Sequence, residues 1–352
     1  MKKHPLLRRA VSNFASAMGL PVSVVLALYT EYNPATKQAV ECFRKSEPKP
    51  LSTAEVFSVL SWNLQYCASR KHHFFYDGGT KVHVPLADVE STLQTVKQVL
   101  QTESPAISLL QEIDRNSKRT HHIDQLREII DKKQSVSWAS TAYHRSSFVP
   151  FPYRVPLGRI DMNLGIISRY FIEQASRFRL SLLQESKLRQ TFNLKRAILA
   201  GTIPIIDKPY PLHVGVTHLS AFSYGDGTLD KQVQEIIDWI ESRPGGHPWI
   251  IGGDFNLLPP DDNPSRLGEE AKYYNDQSNP IRKLIPKYRT IISSQTDPQN
   301  RTYLPFGAKR PDRKIDYVFY GGPLQIISSR VLSEYTNISD HLPLKATFKL
   351  AT

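Results

Sequence analysis

Cysteine is nearly absent. Cys42 and Cys67 are the only two in 352 residues. They form no Cys-x-x-Cys pair, so neither a disulfide framework nor a thiolate zinc site is indicated, and the redox compartment stays open. Internal repeats and low-complexity tracts are missing too, which removes solenoids and biased linkers from consideration. Charged residues make up 22% of the chain alongside 40% hydrophobic residues, which is not the composition of a disordered protein. Nor is there a clean membrane-length apolar run. Ala10 to Thr30 carries no charge, but Ser12, Asn13, Ser16, Gly19, Pro21 and Ser23 dilute it. With the basic residues 2–9 ahead of it, this segment reads in three ways: a signal or anchor, a basic amphipathic segment making peripheral contact with anionic lipid, or a helix packed on the domain. Whether the chain is cytoplasmic, membrane-associated or exported turns on that segment.

What is present is enough apolar material for a large core, in one big α/β domain or two ordinary ones. The net charge of +12 favours an anionic partner: nucleic acid, phospholipid headgroups or a phosphorylated small molecule. Residues 1–50 contribute eight Lys/Arg against three Glu and end in the Pro-rich stretch Ser46 to Pro50, which reads as a linker. The expected division is therefore an N-terminal segment and linker over 1–50 and a folded domain over 51–352.

Within the domain, apolar periodicity predicts strands over 54–65, 105–113, 135–142, 196–204, 212–219, 314–320 and 326–332, a short one within the stretch 249–258, and a last one ending at Leu350. Helices are expected over 87–101, 124–131 and 229–240. The spans 164–168 and 177–183 read as paired strands, Tyr143 to Arg159 as an aromatic and basic loop, and Arg70 to Val84 as a hairpin or lid. Many strands with few helices and no regular βαβ alternation argue for two stacked mixed sheets flanked by helices.

The chemistry sits at strand ends. The run Trp249-Ile-Ile-Gly-Gly-Asp-Phe-Asn256 ends an apolar strand in a carboxylate and a carboxamide. If the backbone stays extended past the glycines, Asp254 and Asn256 face the same way and Phe255 packs behind them. Other strand ends are also polar: Asn63, Glu112, His218, Asp316, and Asp340 with His341. Hydrolysing a phosphate ester requires oxygen ligands for a hard divalent cation, a residue to handle water, and donors for the charge that develops on phosphorus. This set contains each type. Plainer readings stand beside it: Asn63 as a strand terminus, Glu112 paired with Arg115 or Lys118, His218 as a core histidine, Asp340 as a turn cap.

Taken in order, SWNLQ, LLQEID, VTHL, GGDFN, KIDYVFY and SDHLPL resemble the endonuclease/exonuclease/phosphatase superfamily related to pancreatic deoxyribonuclease, over roughly residues 55 to 350. The resemblance implies a four-layer α/β sandwich and a phosphodiesterase dependent on Mg²⁺, with Mn²⁺ as a substitute. It makes Glu112 the principal metal ligand, with Asn63 and Asp340 beside it. Asp254 handles the attacking water and Asn256 holds it or a phosphate oxygen. His341, fixed by Asp316, contacts the phosphate, and His218 matches a second histidine of the deoxyribonuclease, sphingomyelinase and inositol-phosphatase branches. Arg159 and Asn163 lie in a stretch of family-like form and are candidates to reach the phosphate, although a structural arginine and a turn asparagine fit equally. For the substrate, net charge favours nucleic acid, while the N-terminal segment and the aromatic loops favour a phospholipid headgroup. The chain is expected to act as a monomer.

Overall fold

The computed structural model describes residues 22–131, 135–221, 225–274, 279–294 and 296–351. In chain order the strands are β1 (Lys37–Val40), β2 (Cys42–Lys45), β3 (Val56–Asn63), β4 (Ile107–Asp114), β5 (Val136–Val149), β6 (Gly158–Ser168), β7 (Gln174–Arg179), β8 (Ala197–Ile203), β9 (Leu212–His218), β10 (Trp249–Asp254), β11 (Arg289–Thr290), β12 (Asp316–Gly321), β13 (Leu324–Val331) and β14 (Leu344–Leu350). The helices are α1 (Val22–Tyr29), α2 (Leu86–Thr102), α3 (Gln125–Asp131), α4 (Lys187–Phe192) and α5 (Thr228–Glu241). Two seven-stranded sheets form, in the orders β1-β7-β8-β9-β10-β12-β11 and β13-β14-β3-β4-β6-β5-β2.

Strand periodicity explains the layering. Successive side chains point to opposite faces, so Val59 and Leu109 enter the core between the sheets while Leu60 and Leu110 enter a second core beneath α2 and α3. On the other sheet, Ile250 faces inward and Ile251 faces α5, where Val233, Ile236, Ile237 and Ile240 form the helix's buried stripe. Both faces of each sheet are thus covered, and the result is the expected four-layer sandwich.

Three expectations need correction. Tyr143 to Arg159 is a loop only over 150–157, because β5 runs through to Val149 and β6 starts at Gly158, in antiparallel register with it. The spans 164–168 and 177–183 are not partners. β6 lies between β4 and β5, whereas β7 crosses to the other sheet and pairs with β1 and β8. Nor does the fold begin at 51, since β1 and β2 pair with β7 and β5. The stretch 70–84 holds one short 3-10 turn (Phe75–Asp77) and a bridge between Phe74 and Lys81.

Residues 1–21, with the basic cluster and half of the uncharged run, lie outside the described residues. The remainder of that run is α1, with Val25 buried, followed by Thr30, whose hydroxyl bonds Ser147 Oγ at 2.9 Å. No helix among the described residues is long and apolar enough to cross a membrane.

His144 on β5 is buried, with Nε2 2.9 Å from the Phe192 carbonyl oxygen, and burial pushes its pKa down to about 4. Unfolding returns the ring to about 6.5. As pH falls below that value the unfolded chain takes up the proton first, so stability complete at neutral pH is lost progressively towards pH 4, by about 3 kcal/mol. Urea unfolding of wild type and His144→Gln at pH 7.5 and pH 4.5 should show the variant losing less on acidification; equal losses would refute this.

Candidate active site

Three strand ends meet in one row. In the parallel register of β9 with β10, Asp254 lies opposite His218, and in the antiparallel register of β10 with β12 it lies opposite Asp316. Gly253 makes the row tight. It adopts φ +155°, and a Cβ there would come within 1.9 Å of the Thr217 carbonyl oxygen, so no other residue fits without moving β9.

The second sheet supplies the facing groups. Asn63 ends β3 opposite Gln111. Beyond Leu110 the pairing of β4 with β6 shifts by one residue, and Glu112 sits at φ +55°. This is a β-bulge, a device that redirects a side chain at a strand end. It turns Glu112 out of the ladder, so that Oε1 lies 3.3 Å from Asn63 Nδ2 and 3.8 Å from His218 Nδ1.

Asp254 is the hub. Its Oδ2 accepts from Asn63 Nδ2 at 3.2 Å and lies 3.2 Å from His218 Nε2 and 3.5 Å from His341 Nε2, while Oδ1 accepts the Asn256 N–H at 2.9 Å. Burial opposes its ionisation, but the two imidazoles outweigh burial and hold the carboxyl well below the usual carboxylate range. His341 Nδ1 lies 2.9 Å from Asp316 Oδ2. Burial would strip the His341 proton, yet Asp316 and Asp254 raise its pKa well above the ordinary value. His218 goes the other way: burial, aided by the Arg196 charge, lowers its pKa, and Tyr143 OH lies 3.1 Å from Nδ1, leaving Nε2–H to face Asp254. One neutral and one protonated imidazole therefore flank one carboxylate.

Asn256 departs from the expected geometry. The strand stops at Asp254, and Asn256 takes a left-handed φ of +52° rather than continuing the alternation. Its Nδ2 donates to the Leu219 carbonyl at 3.1 Å, which ties the turn to the end of β9, while Phe255 packs beneath as anticipated.

Glu112, His218, Asp254, Asn256 and His341 line a cavity of about 500 Å³. Asn63 and Asp316 stand behind it, holding Asp254 and His341. Asp340 lines an adjoining hollow with Gln65 and Arg70. Arg159 is exposed and Asn163 is buried with Nδ2 donating to Asp161, and neither lines the cavity. Sequence reading missed Arg196. It is 7% exposed, lines the cavity, faces Asp254 and Glu112 electrostatically, and leaves Nη1 with no hydrogen-bond partner. The available signal was an arginine at the start of an apolar strand, where a charge requires a partner if the strand is buried.

Among the described residues, the group of His and carboxylates close enough to share a metal is Asp254, Asp316 and His341. A protonated imidazole pinned between two carboxylates is a donor rather than a ligand, so this trio is better understood as an ion-paired cluster. Glu112 and Asp340 fit a cation instead. Neither has a Lys or Arg salt bridge among the described residues. Burial, reinforced by Glu112 and partly offset by His341, pushes Asp340 up to about 7. Two carboxylates and the Asn63 carboxamide make an all-oxygen donor set suited to a hard divalent ion.

Known structures share this fold. The structure from Beutenbergia cavernae titled endonuclease/exonuclease/phosphatase shares 19% identity at a TM-score of 0.57, covering 84% of this chain and 72% of its own. The human Nocturnin catalytic domain with bound sulfate shares 15% at 0.52, covering 89% and 97%. Humanized D. rerio TDP2 shares 13% at 0.51, covering 84% and 99%. No curated protein sequence matches the chain. At these identities the likeness establishes the fold; membership rests on the family's sequence profile, which matches residues 60–341, and on that match the chain belongs to the Endonuclease/Exonuclease/phosphatase family.

Proposed function

We propose that the protein is a metal-dependent phosphodiesterase. The observation that carries this is the His218–Asp254–Asp316 row facing Asn63 and Glu112 across the junction of the two sheets, with His341 bridging Asp254 and Asp316.

In this reading Asp254 orients the attacking water and accepts its proton, and Asn256 supports the same edge. The water oxygen forms the new P–O bond, the ester P–O bond on the far side breaks, and the departing oxygen is protonated from solvent. His341 donates through Nε2 to a phosphate oxygen while Asp316 fixes the other nitrogen. His218 steadies Asp254. Arg196 turns its unpaired Nη1 to the phosphate, where a preorganised charge counts most in a water-poor site. Glu112, Asp340 and the Asn63 side-chain oxygen would hold a divalent ion of the Mg²⁺ class, which when bound neutralises charge on the phosphate and leaving oxygens. Net charge alone favours a nucleic-acid substrate, whereas a walled cavity beside the site favours a compact ester.

The test uses bis-p-nitrophenyl phosphate, duplex DNA, RNA and lipid phosphodiesters with Mg²⁺ or chelator. Chelation should abolish turnover and Mg²⁺ restore it; turnover that persists in chelator refutes the metal. Glu112→Gln should raise the Mg²⁺ needed for half-maximal rate on the order of 10-fold or more. Arg196→Ala should lower kcat/KM about 100-fold, with Arg196→Lys between the two; a wild-type rate in the alanine variant would remove Arg196 from the phosphate.

A further inference from the structure

The catalytic groups are a minority of the cavity's lining. Beside the rings of Tyr66, Phe75, Tyr76 and Tyr303, one stretch of the wall is aliphatic: Val149 and Leu157 at the facing ends of β5 and the turn before β6, Met162 on β6, and Leu183 and Leu194 on the segment that carries α4. The polar groups next to this aliphatic stretch are largely committed. His144 bonds the Phe192 carbonyl at 2.9 Å, Asn193 Nδ2 donates to Glu185 at 2.8 Å, Asn193 Oδ1 accepts the Leu194 N–H at 2.8 Å, and Arg119 is taken by Asp114. An aliphatic chain asks for nothing but apolar contact.

The mouth carries a second, independent feature. Phe151 lines the cavity and is 52% exposed, and Tyr153 and Val155 follow at 83% and 49%. Exposed apolar side chains scattered singly are ordinary, but three within five residues at the rim of an apolar cavity form a patch. Arg154 lies between them, and α4 presents Leu188 at 58% exposure between exposed Lys187 and Arg189. Apolar tips among basic side chains suit the boundary of an anionic bilayer.

We infer that the chamber receives the aliphatic chain of a lipid phosphodiester taken from a membrane surface, with the 151–155 loop seated in the interface. This rests on the phosphodiesterase reading above and adds the substrate class. The phosphate sits among Asp254, His341 and Arg196, and one chain runs between Val149, Leu157, Met162 and Leu194.

The experiment uses p-nitrophenyl alkyl phosphodiesters from methyl to octyl, kept monomeric, with Mg²⁺, beside p-nitrophenyl thymidine 5′-phosphate. Each buried methylene corresponds to about a fourfold gain, so kcat/KM should climb by about 30-fold or more from methyl to octyl before levelling off. Leu183→Trp, at a half-buried position, should lower the octyl-to-methyl ratio about 10-fold; because it is a ratio, partial loss of folded enzyme does not move it. Tyr153→Ser/Val155→Ser should weaken sedimentation with 4:1 phosphatidylcholine:phosphatidylserine vesicles by roughly fivefold or more while leaving turnover of the monomeric octyl ester unchanged. A flat response from methyl to octyl, or a thymidine ester turned over faster than the octyl ester, overturns the chain-binding chamber while the methyl ester still reports the phosphodiesterase. Undiminished vesicle binding by the double variant overturns the interfacial loop. No turnover of any ester overturns the phosphodiesterase reading and this inference with it.

Discussion

Replacing Asp254 by asparagine is expected to lower kcat by about three to four orders of magnitude while KM stays within a few fold. The isosteric change is the informative one because four groups converge on this carboxylate. Asn63 Nδ2, His218 Nε2 and His341 Nε2 all meet Oδ2, and the Asn256 N–H meets Oδ1. A carboxamide offers one acceptor where two are used, so either orientation sets its NH₂ against donors. It also removes the negative charge that helps keep His341 protonated. Water orientation and phosphate contact are then lost together. Single-turnover rates with a small diester measure the effect directly, and a kcat within tenfold of wild type would show that Asp254 is structural.

Asp114→Ala is expected to destabilise the fold by about 3–5 kcal/mol, the range for removing one partner of a buried ion pair. Asp114 is 0% exposed and takes Arg119 in a two-pronged pair, at 2.9 and 3.1 Å, with Thr120 Oγ1 donating at 3.0 Å. Without it the Arg119 guanidinium is left charged and buried, lying 3.4 Å from the centre of the Tyr66 ring. Tyr66 lines the cavity, so lost stability should bring lost activity. Asp114→Leu/Arg119→Met should recover most of the stability, because an apolar pair of similar volume leaves no charge unpaired. Urea midpoints decide the matter. A loss below about 1 kcal/mol for Asp114→Ala would mean that water already solvates the pair.

The same short strand therefore serves two purposes. Glu112 is turned outward by the bulge towards Asn63 and His218, and two residues later Asp114 is fully buried against Arg119. Only the first was readable from the sequence, because a glutamate closing an apolar run announces a partner. The bulge that aims it depends on the pairing with β6. The polar strand ends were legible for the same reason as Glu112: each apolar run signals burial, and a charged residue at its tip has to be satisfied. His218, Asp254 and Asp316 fall in one row.

Other features depend on tertiary placement. Tyr143 to Val149 alternates aromatic, basic and hydroxyl side chains, a pattern that suits a strand with one wet face but resembles a loop in isolation. β6 and β7 are neighbours in sequence yet belong to different sheets, and no local pattern records that crossing. Arg159 lies in a stretch that matches the family in form, whereas Arg196 opens an ordinary apolar strand. Burial is what separates the two arginines, and burial is a property of the fold.

The stretch 37–45 has a practical consequence. Its two short strands, separated by Glu41 alone, cap the outer side of β7 in one sheet and of β5 in the other. A chain cut back to residue 51, the boundary that the prolines invite, would uncover both ladders at once. Their free N–H and C=O groups would then be open to recruit strands from other copies, the usual route to aggregation. Any truncation meant to ask what the N-terminal residues do at a membrane should stop before Lys37. Otherwise weaker vesicle binding would report a clumped protein instead of a missing contact.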